Sequence, residues 1–256
     1  KEPLVKKIAY YALHYGKEYL AWSVRSVQDS VDEIHVLYTD RPSFGHSSRL
    51  VCPDSEAELR REAERFLTKP LLWHKGHWQG EAAHRDAIRD IARARGAPLV
   101  LVVDADEVWD TESAKAILEA TERHNAAGSI CARFVHFWRS FHHVCQDPCM
   151  PTRVLDLRHP WQATWYGAAQ PAPVLHFGYA QSEAIMRYKW TCHGHQAEFR
   201  PRWLEEKFLG WAPGQGDVHP TCRDGFWSPV ETPEAIRAQR DALLSDHPYH
   251  GLPVIR

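Results

Sequence analysis

Five consecutive aliphatic residues, Leu99-Val100-Leu101-Val102-Val103, run directly into Asp104-Ala105-Asp106-Glu107. Such a run has no polar side to turn towards water, so it predicts a strand covered on both faces, as at the centre of a parallel sheet. The segment before it, 81–95, is the most periodic in the chain. It places Ala83, Ala87, Ile88 and Ile91 on one helical face and charges on the other, with Gly96 as its stop. Helix, buried strand and acidic turn in that order are part of a βαβ pattern and point to an α/β architecture.

The flanking segments fit the same scheme. Strands are predicted over 5–13 with the loop that follows, over 33–38 and over 70–74. Helices are predicted over 18–28 and over 55–66, the latter capped by Ser55 or Asp54. A loop rich in Pro, Gly and Ser covers 41–52, and a helix from Thr111 or Ser113 to His124 follows the acidic turn. Beyond Gly128, aromatics, prolines and arginines replace the aliphatic periodicity. Strands are expected there over 130–137, 152–157 and 173–177, helices over 182–193 and 202–209, a long loop over 212–229, and a closing helix over 232–244 with Pro233 at its start. The expectation is one domain with a mostly parallel central sheet flanked by helices, in two halves, 1–128 and 129–256.

A chain of 256 residues, 44% hydrophobic, can bury a core without disulfide or metal staples. Its longest aliphatic run falls far short of the roughly 18 to 20 residues of a membrane span, and Lys1-Glu2-Pro3-Leu4 does not resemble a signal peptide. Six cysteines at this length are no disulfide framework, and no Asn-X-Ser/Thr site is present. A soluble protein of a reducing cytoplasm is expected, or of the host cytoplasm for a phage protein. The net charge of −2 argues against nucleic-acid binding by bulk charge. Between Cys131 and Trp211, however, nine Lys and Arg stand against six Asp and Glu, which allows an anionic partner.

The chemistry concentrates in Asp104-x-Asp106. Ligands of open α/β sheets bind beyond the carboxyl ends of the strands. Two carboxylates in one short turn there repel each other and are costly to bury without a cation. Mg²⁺ or Mn²⁺, hard ions with oxygen ligands, would resolve the conflict and leave coordination positions for substrate phosphates.

The lead Val31-Asp32-Glu33-Ile34, then Arg85-Asp86-Ala87-Ile88, then Leu99–Val103 with Asp104-Ala105-Asp106-Glu107 resembles, in order and spacing, the family 2 glycosyltransferases of the GT-A fold. The likeness covers about residues 5–128. It extends more loosely to His176-Phe177-Gly178-Tyr179, Met186, Lys189 and Asp217-Val218-His219-Pro220. Two departures stand out: His14-Tyr15-Gly16-Lys17-Glu18 where the family has Asn-Glu-Glu, and Arg85-Asp86 where it has Arg-Asn.

The resemblance implies a GT-A (Rossmann-like) sheet and a transferase that moves a hexose from a nucleoside-diphosphate sugar of the UDP-glucose type. Tyr11, Ala12, Leu13, Glu18 and Asp40 would hold the nucleotide, and Arg85 would lie near the pyrophosphate. Asp106, with Asp104 directly or through water, would bind the metal across the diphosphate, and His176 or His219 would add a further ligand. The half 129–256 would face the acceptor. An inverting enzyme also needs a carboxylate base. Asp147, Glu183 and Asp217 are candidates, Asp147 first because it lies in the irregular 141–151 segment.

Other readings remain open. Leu101–Val108 also resembles the first motif of haloacid-dehalogenase-type phosphatases, with Asp104 as nucleophile and Gly216-Asp217 with Asp224 as a later acidic motif. Cys145-x3-Cys149 near His142 and His143, and Cys192-His193-Gly194-His195, suggest a zinc- or nucleic-acid-binding module. The chain has 17 His and 11 Trp. Rings such as Phe134, Phe137, Trp138, Phe141, Trp161, Trp165, Trp190, Trp203 and Trp211 lie among its basic residues. They suit stacking on a saccharide, a small metabolite or a hydroxymethylated pyrimidine of DNA, and equally the filling of a core.

Overall fold

A computed structural model describes residues 5–45, 48–123, 129–158, 164–166, 170–192, 194, 196–221 and 227–255. In chain order the first elements are β1 (Lys7–Leu13), α1 (Lys17–Val27), β2 (Glu33–Tyr38), α2 (Glu56–Glu64), β3 (Leu71–Lys75), α3 (Gly80–Ala94), β4 (Leu99–Val103), β5 (Glu107–Val108) and α4 (Thr111–Arg123). Then come β6 (Ser129–Cys131), β7 (Phe134–Trp138), β8 (His143–Gln146), β9 (Thr152–Asp156), β10 (Thr164–Tyr166), β11 (Val174–Tyr179), α5 (Glu183–Cys192), β12 (Val230–Glu231) and α6 (Glu234–Leu244).

The larger sheet has the order β10-β6-β9-β4-β1-β2-β3. Strands β3, β2, β1 and β4 are parallel, and β9 runs antiparallel between β4 and β6. This is a Rossmann-like, mostly parallel sheet flanked by helices, with every residue of β4 buried as its sequence predicts. From β1 the chain builds outward through β2 to β3, then returns across β1 to place β4 on its other side. The strand order therefore reverses between β1 and β4, and a crevice opens beyond their carboxyl ends at such a switch point.

Alternation along β1 sorts its side chains between two cores. Ile8 and Tyr10 face α3 with Ile88 and Ala92, while Ala9, Tyr11 and Leu13 face α1 and α4 with Leu20, Val24 and Ile117. Two capping devices fix the entrance to the crevice. Ser55 closes a capping box with Glu58 at the start of α2. Asp54 accepts hydrogen bonds from the backbone N–H of Gly16 (2.7 Å) and Lys17 (3.0 Å), satisfying the first turn of α1 instead of α2.

A second sheet, β12-β8-β7-β11-β5, begins where the acidic turn ends, because β5 follows Asp104–Asp106 directly. Its β11 is parallel to β7, with His176 beside His136, and antiparallel to β5, with His176 beside Glu107. Tyr19 of α1 stacks on Phe177 at 4.6 Å, and Phe177 stacks on Phe137 at 4.5 Å, which ties this sheet to α1. Each such pair contributes about 0.5–1.5 kcal/mol beyond its buried area.

Several expectations are corrected here. The short strands β5, β8, β10 and β12 carry too little periodicity to be read in advance. Residues 204–209 form a π-helical turn, not the α-helix expected over 202–209. The helix expected to reach His124 is described as far as Arg123, and the one expected to reach His193 ends at Cys192, because 124 and 193 lie outside the described residues. Among the described residues no helix is long and apolar enough to cross a membrane.

Candidate active site

The crevice at the switch point is a cavity of about 330 Å³. Ala12, His14, Tyr15 and Gly16 line it from the end of β1, and Asp104, Ala105 and Asp106 from the end of β4. His176, Tyr179, Gln181 and Lys189 close it from β11 and α5. The two turns touch. Gly16 has φ +126°, and a Cβ there would lie 2.7 Å from the Cβ of Ala105, so only glycine fits. Gly178 likewise leaves the space that the His176 ring occupies.

The two aspartates have different surroundings. Asp104 is about half exposed (47%), and its Oδ2 accepts a hydrogen bond from Arg153 Nη2 at 2.7 Å. The same guanidinium holds the fully buried Glu107, with Nε 2.9 Å from Oε1. Burial pushes the Glu107 carboxyl well up against the pull of Arg153. Asp106 is largely buried. Its Oδ2 accepts from Gln181 Nε2 at 2.7 Å with Lys189 Nζ at 3.7 Å, while its Oδ1 faces His176 Nε2 at 3.6 Å.

Behind His176 lies a second imidazole. The Nδ1 atoms of His136 and His176 are 2.7 Å apart, and His136 Nε2 is 3.6 Å from Asp147 Oδ2. Burial pulls both imidazoles down to about 3, helped at His136 by the neighbouring His176 and at His176 by Lys189. Both rings are therefore neutral near pH 7. An apolar cavity of about 230 Å³ adjoins the first and shares Ala12, His14 and Tyr15 with it. Leu13, Thr39, Pro42, Phe44 and His84 are among its other walls.

Asp104, Asp106, His176 and Ala12 thus line the crevice, with Leu13 in the adjoining cavity. Tyr11, expected on the nucleotide, points the other way by strand alternation, and its hydroxyl meets Ser23 at 3.1 Å. Glu18 accepts from the Ser182 N–H at 3.0 Å and so holds the approach to α5. Asp40 is exposed beside Arg41 and Lys75, and Arg85 lines neither cavity.

Of the candidate bases, Asp147 sits behind His136. Glu183 pairs with Arg187, and Asp217 pairs with Arg200 at 2.7 Å, away from the wall. His219 packs on Trp227 at 4.6 Å. Trp227 in turn packs on His136 at 4.9 Å, and His219 does not line the crevice.

Among the described residues, no group of three or more His, Cys, Asp or Glu is placed to hold a metal. Cys145 is buried with Trp138 and Met186, Cys149 is exposed, and the His143 ring packs on Trp211. His193, His195, Cys222 and Asp224 lie outside the described residues. Among the described residues Phe134, Phe137, Trp138, Phe141 and Trp203 are buried, and Trp190 is stacked on Trp203 at 4.4 Å, while Trp161 and the side chain of Trp165 lie outside them.

Sequence reasoning missed His136, Arg153, Tyr15 and Gln181. A histidine within Phe134–Trp138 and an arginine within Thr152–Asp156 are polar residues in apolar strands, and that was the available signal. Gln181, buried in a loop, carried none.

No family model and no curated protein matches the chain. Solved structures similar to it include HddC from Yersinia pseudotuberculosis (9% identity, 68% of this chain and 89% of that one, TM-score 0.35). Another is UDP-glucose pyrophosphorylase complexed with UDP-glucose (11% identity, 68% and 75%, TM-score 0.32). Likeness at this level carries no weight for activity.

Proposed function

We propose that the chain is a GT-A-type glycosyltransferase that moves a hexose from a nucleoside-diphosphate sugar, UDP-glucose-like, to an acceptor hydroxyl in the cytoplasm. The observation that carries this reading is the convergence of Asp104, Asp106 and His176 on one cavity at the β1/β4 switch point. The reading treats 1–128 as the donor half and 129–256 as the acceptor half of a single domain, the latter lending β6, β9 and β10 to the main sheet.

The donor set suits Mn²⁺ or Mg²⁺. Asp106 Oδ1 and His176 Nε2 face each other at 3.6 Å, a carboxylate oxygen and an imidazole nitrogen at the wall of one cavity. Such ions use one or two protein ligands and take the rest of their coordination from phosphates and water. When bound, the ion supplies Lewis-acid stabilisation of the departing diphosphate. Gln181 and Lys189 fix the orientation of Asp106, and the Lys189 ammonium at the wall meets the negative charge that develops as the diphosphate leaves. Arg153 holds Asp104 in place, and the adjoining apolar cavity is shaped for a base or ribose.

Among the described residues, Phe134, Phe137, Trp138, Phe141 and Trp203 fill cores and so are not offered for stacking on a DNA base. A saccharide or small metabolite is the favoured acceptor. The test is a screen of nucleotide sugars for Mn²⁺-dependent hydrolysis or transfer, alongside thermal stabilisation by UDP with Mn²⁺. Consumption of one nucleotide sugar is expected. Phosphate release from an aryl phosphate, with no nucleotide sugar consumed, would transfer the case to the phosphatase.

A further inference from the structure

The row Asp147, His136, His176, Asp106 offers three proton positions, and two imidazoles in the form an ordinary imidazole takes near pH 7 carry two protons. The Nδ1 atoms, 2.7 Å apart, need one hydrogen between them. Each outward Nε2 faces a carboxylate at 3.6 Å, and a carboxylate favours N–H over a lone pair. Two protons therefore serve three places, and one of the carboxylates must face a bare nitrogen.

The carboxylates are not equal competitors. Asp106 Oδ2 already accepts from Gln181 and has Lys189 at 3.7 Å, so its charge is partly met. Asp147 Oδ1 accepts the backbone N–H of Cys149 at 2.7 Å, and among the described residues no Lys or Arg pairs with Asp147. The proton is worth more beside Asp147.

We infer that Asp147 is a positioning residue that sets the tautomer of His176 through His136. His136 carries its proton on Nε2, its Nδ1 accepts from His176 Nδ1–H, and the bare Nε2 of His176 faces Asp106 Oδ1. Two acceptors facing each other at the cavity wall make a seat for a divalent cation. Carboxylates that orient metal-binding imidazoles do this directly; here the influence passes through one further ring. The inference rests on the metal-dependent reading above and gives Asp147 a different role from that of a base.

The tautomers are read by long-range ¹H–¹⁵N correlation on the full chain labelled with ¹⁵N-histidine, without metal or nucleotide. His136→Gln and His176→Gln assign the signals. The expected result is Nε2–H at His136 and Nδ1–H at His176. Asp147→Asn, whose amide can donate as well as accept, should move the His176 proton towards Nε2. It should also weaken Mn²⁺ binding, titrated by EPR with Mn²⁺ alone and with UDP, about 10–100-fold, with Asp147→Glu restoring part of it.

A wild-type His176 protonated at Nε2, or an Asp147→Asn protein with unmoved tautomers and Mn²⁺ affinity, overturns the inference. Absence of Mn²⁺ binding in the wild type overturns both the cation seat and the metal-dependent reading. The expected tautomers and Mn²⁺ binding in a protein that consumes no nucleotide sugar support the role of Asp147 and remove the transferase alone.

Discussion

Each sheet of this protein holds a pair of packed imidazoles backed by a carboxylate. In the larger sheet, Glu33 Oε2 lies 3.2 Å from His35 Nε2, and His35 Nδ1 lies 3.1 Å from His74 Nε2, the rings parallel at 5.3 Å. In the smaller sheet, Asp147 backs His136 and His136 meets His176, the rings edge to face at 4.7 Å. Burial lowers the pKa of all four imidazoles. What differs is the ends. Glu33 is met by Arg95 and Lys6. The other row runs between two carboxylates and opens on a cavity. Pairing of histidines is therefore a packing motif that either sheet can hold, and what sets the second pair apart is that its far end meets a second carboxylate at a cavity wall.

The comparison breaks most sharply at Asp106. Asp106→Asn removes the charged partner of His176 and should lower Mn²⁺-dependent consumption of the donor by on the order of 10³-fold, about 4 kcal/mol. His74→Gln, a change at the outer end of the other pair, should leave that rate within about twofold. Initial rates at saturating Mn²⁺ decide it, and equal losses in both variants would show the two pairs to be equivalent.

The arginines beside the two sets of carboxylates give the next contrast. Arg153→Met strands Glu107, whose side chain is 0% exposed, and should cost about 3 kcal/mol of stability. Arg95 is 43% exposed where it meets Glu33, so Arg95→Met should cost much less than Arg153→Met. Urea midpoints at constant slope measure both. A smaller loss for Arg153 than for Arg95 would mean that Glu107 needs no cation in the fold.

The difference between the sheets also explains what the sequence could tell. In β1 to β4 the aliphatic runs are long and the helices between them periodic, so the positions of the strands along the chain, the capped start of α2 and the position of Asp104–Asp106 follow from local pattern. In the second half, β5 and β12 have two residues each, too few to show alternation. His176 was legible because it sits in an apolar strand beside a recognisable Gly-Tyr. The row from Asp147 through His136 to His176 was not, because it needs β8 to pair with β7 and β7 to pair with β11, the latter across about 40 residues of chain. Tyr11 misled for the same local reason: neighbouring strand residues point to opposite faces, and only the packed helices decide which face is the core.

The smallest effect comes from the larger sheet and depends on pH. Arg95, and after it Lys6, holds the Glu33 carboxyl down at about 2 against the cost of burial. A carboxyl whose folded pKa is below its unfolded value binds fewer protons when folded. Its stabilisation is complete above the ordinary value of 4.5 and disappears as pH falls through about 2. Glu33→Gln should therefore lower Tm by about 2–4 °C at pH 7, with the gap closing between about pH 4.5 and 2. His35 follows the same direction from another cause: burial holds its imidazole below 6.5, so the native state resists the proton and stability falls as pH drops below that value. Glu33 partly offsets that loss by favouring the His35 proton, so it is at least as steep in Glu33→Gln, and the gap between the two Tm curves should not narrow between about pH 6.5 and 5 but only below about 4.5. A gap that stays constant to pH 2 would mean that Glu33 acts through packing and hydrogen bonds alone, and that this pair owes nothing to charge.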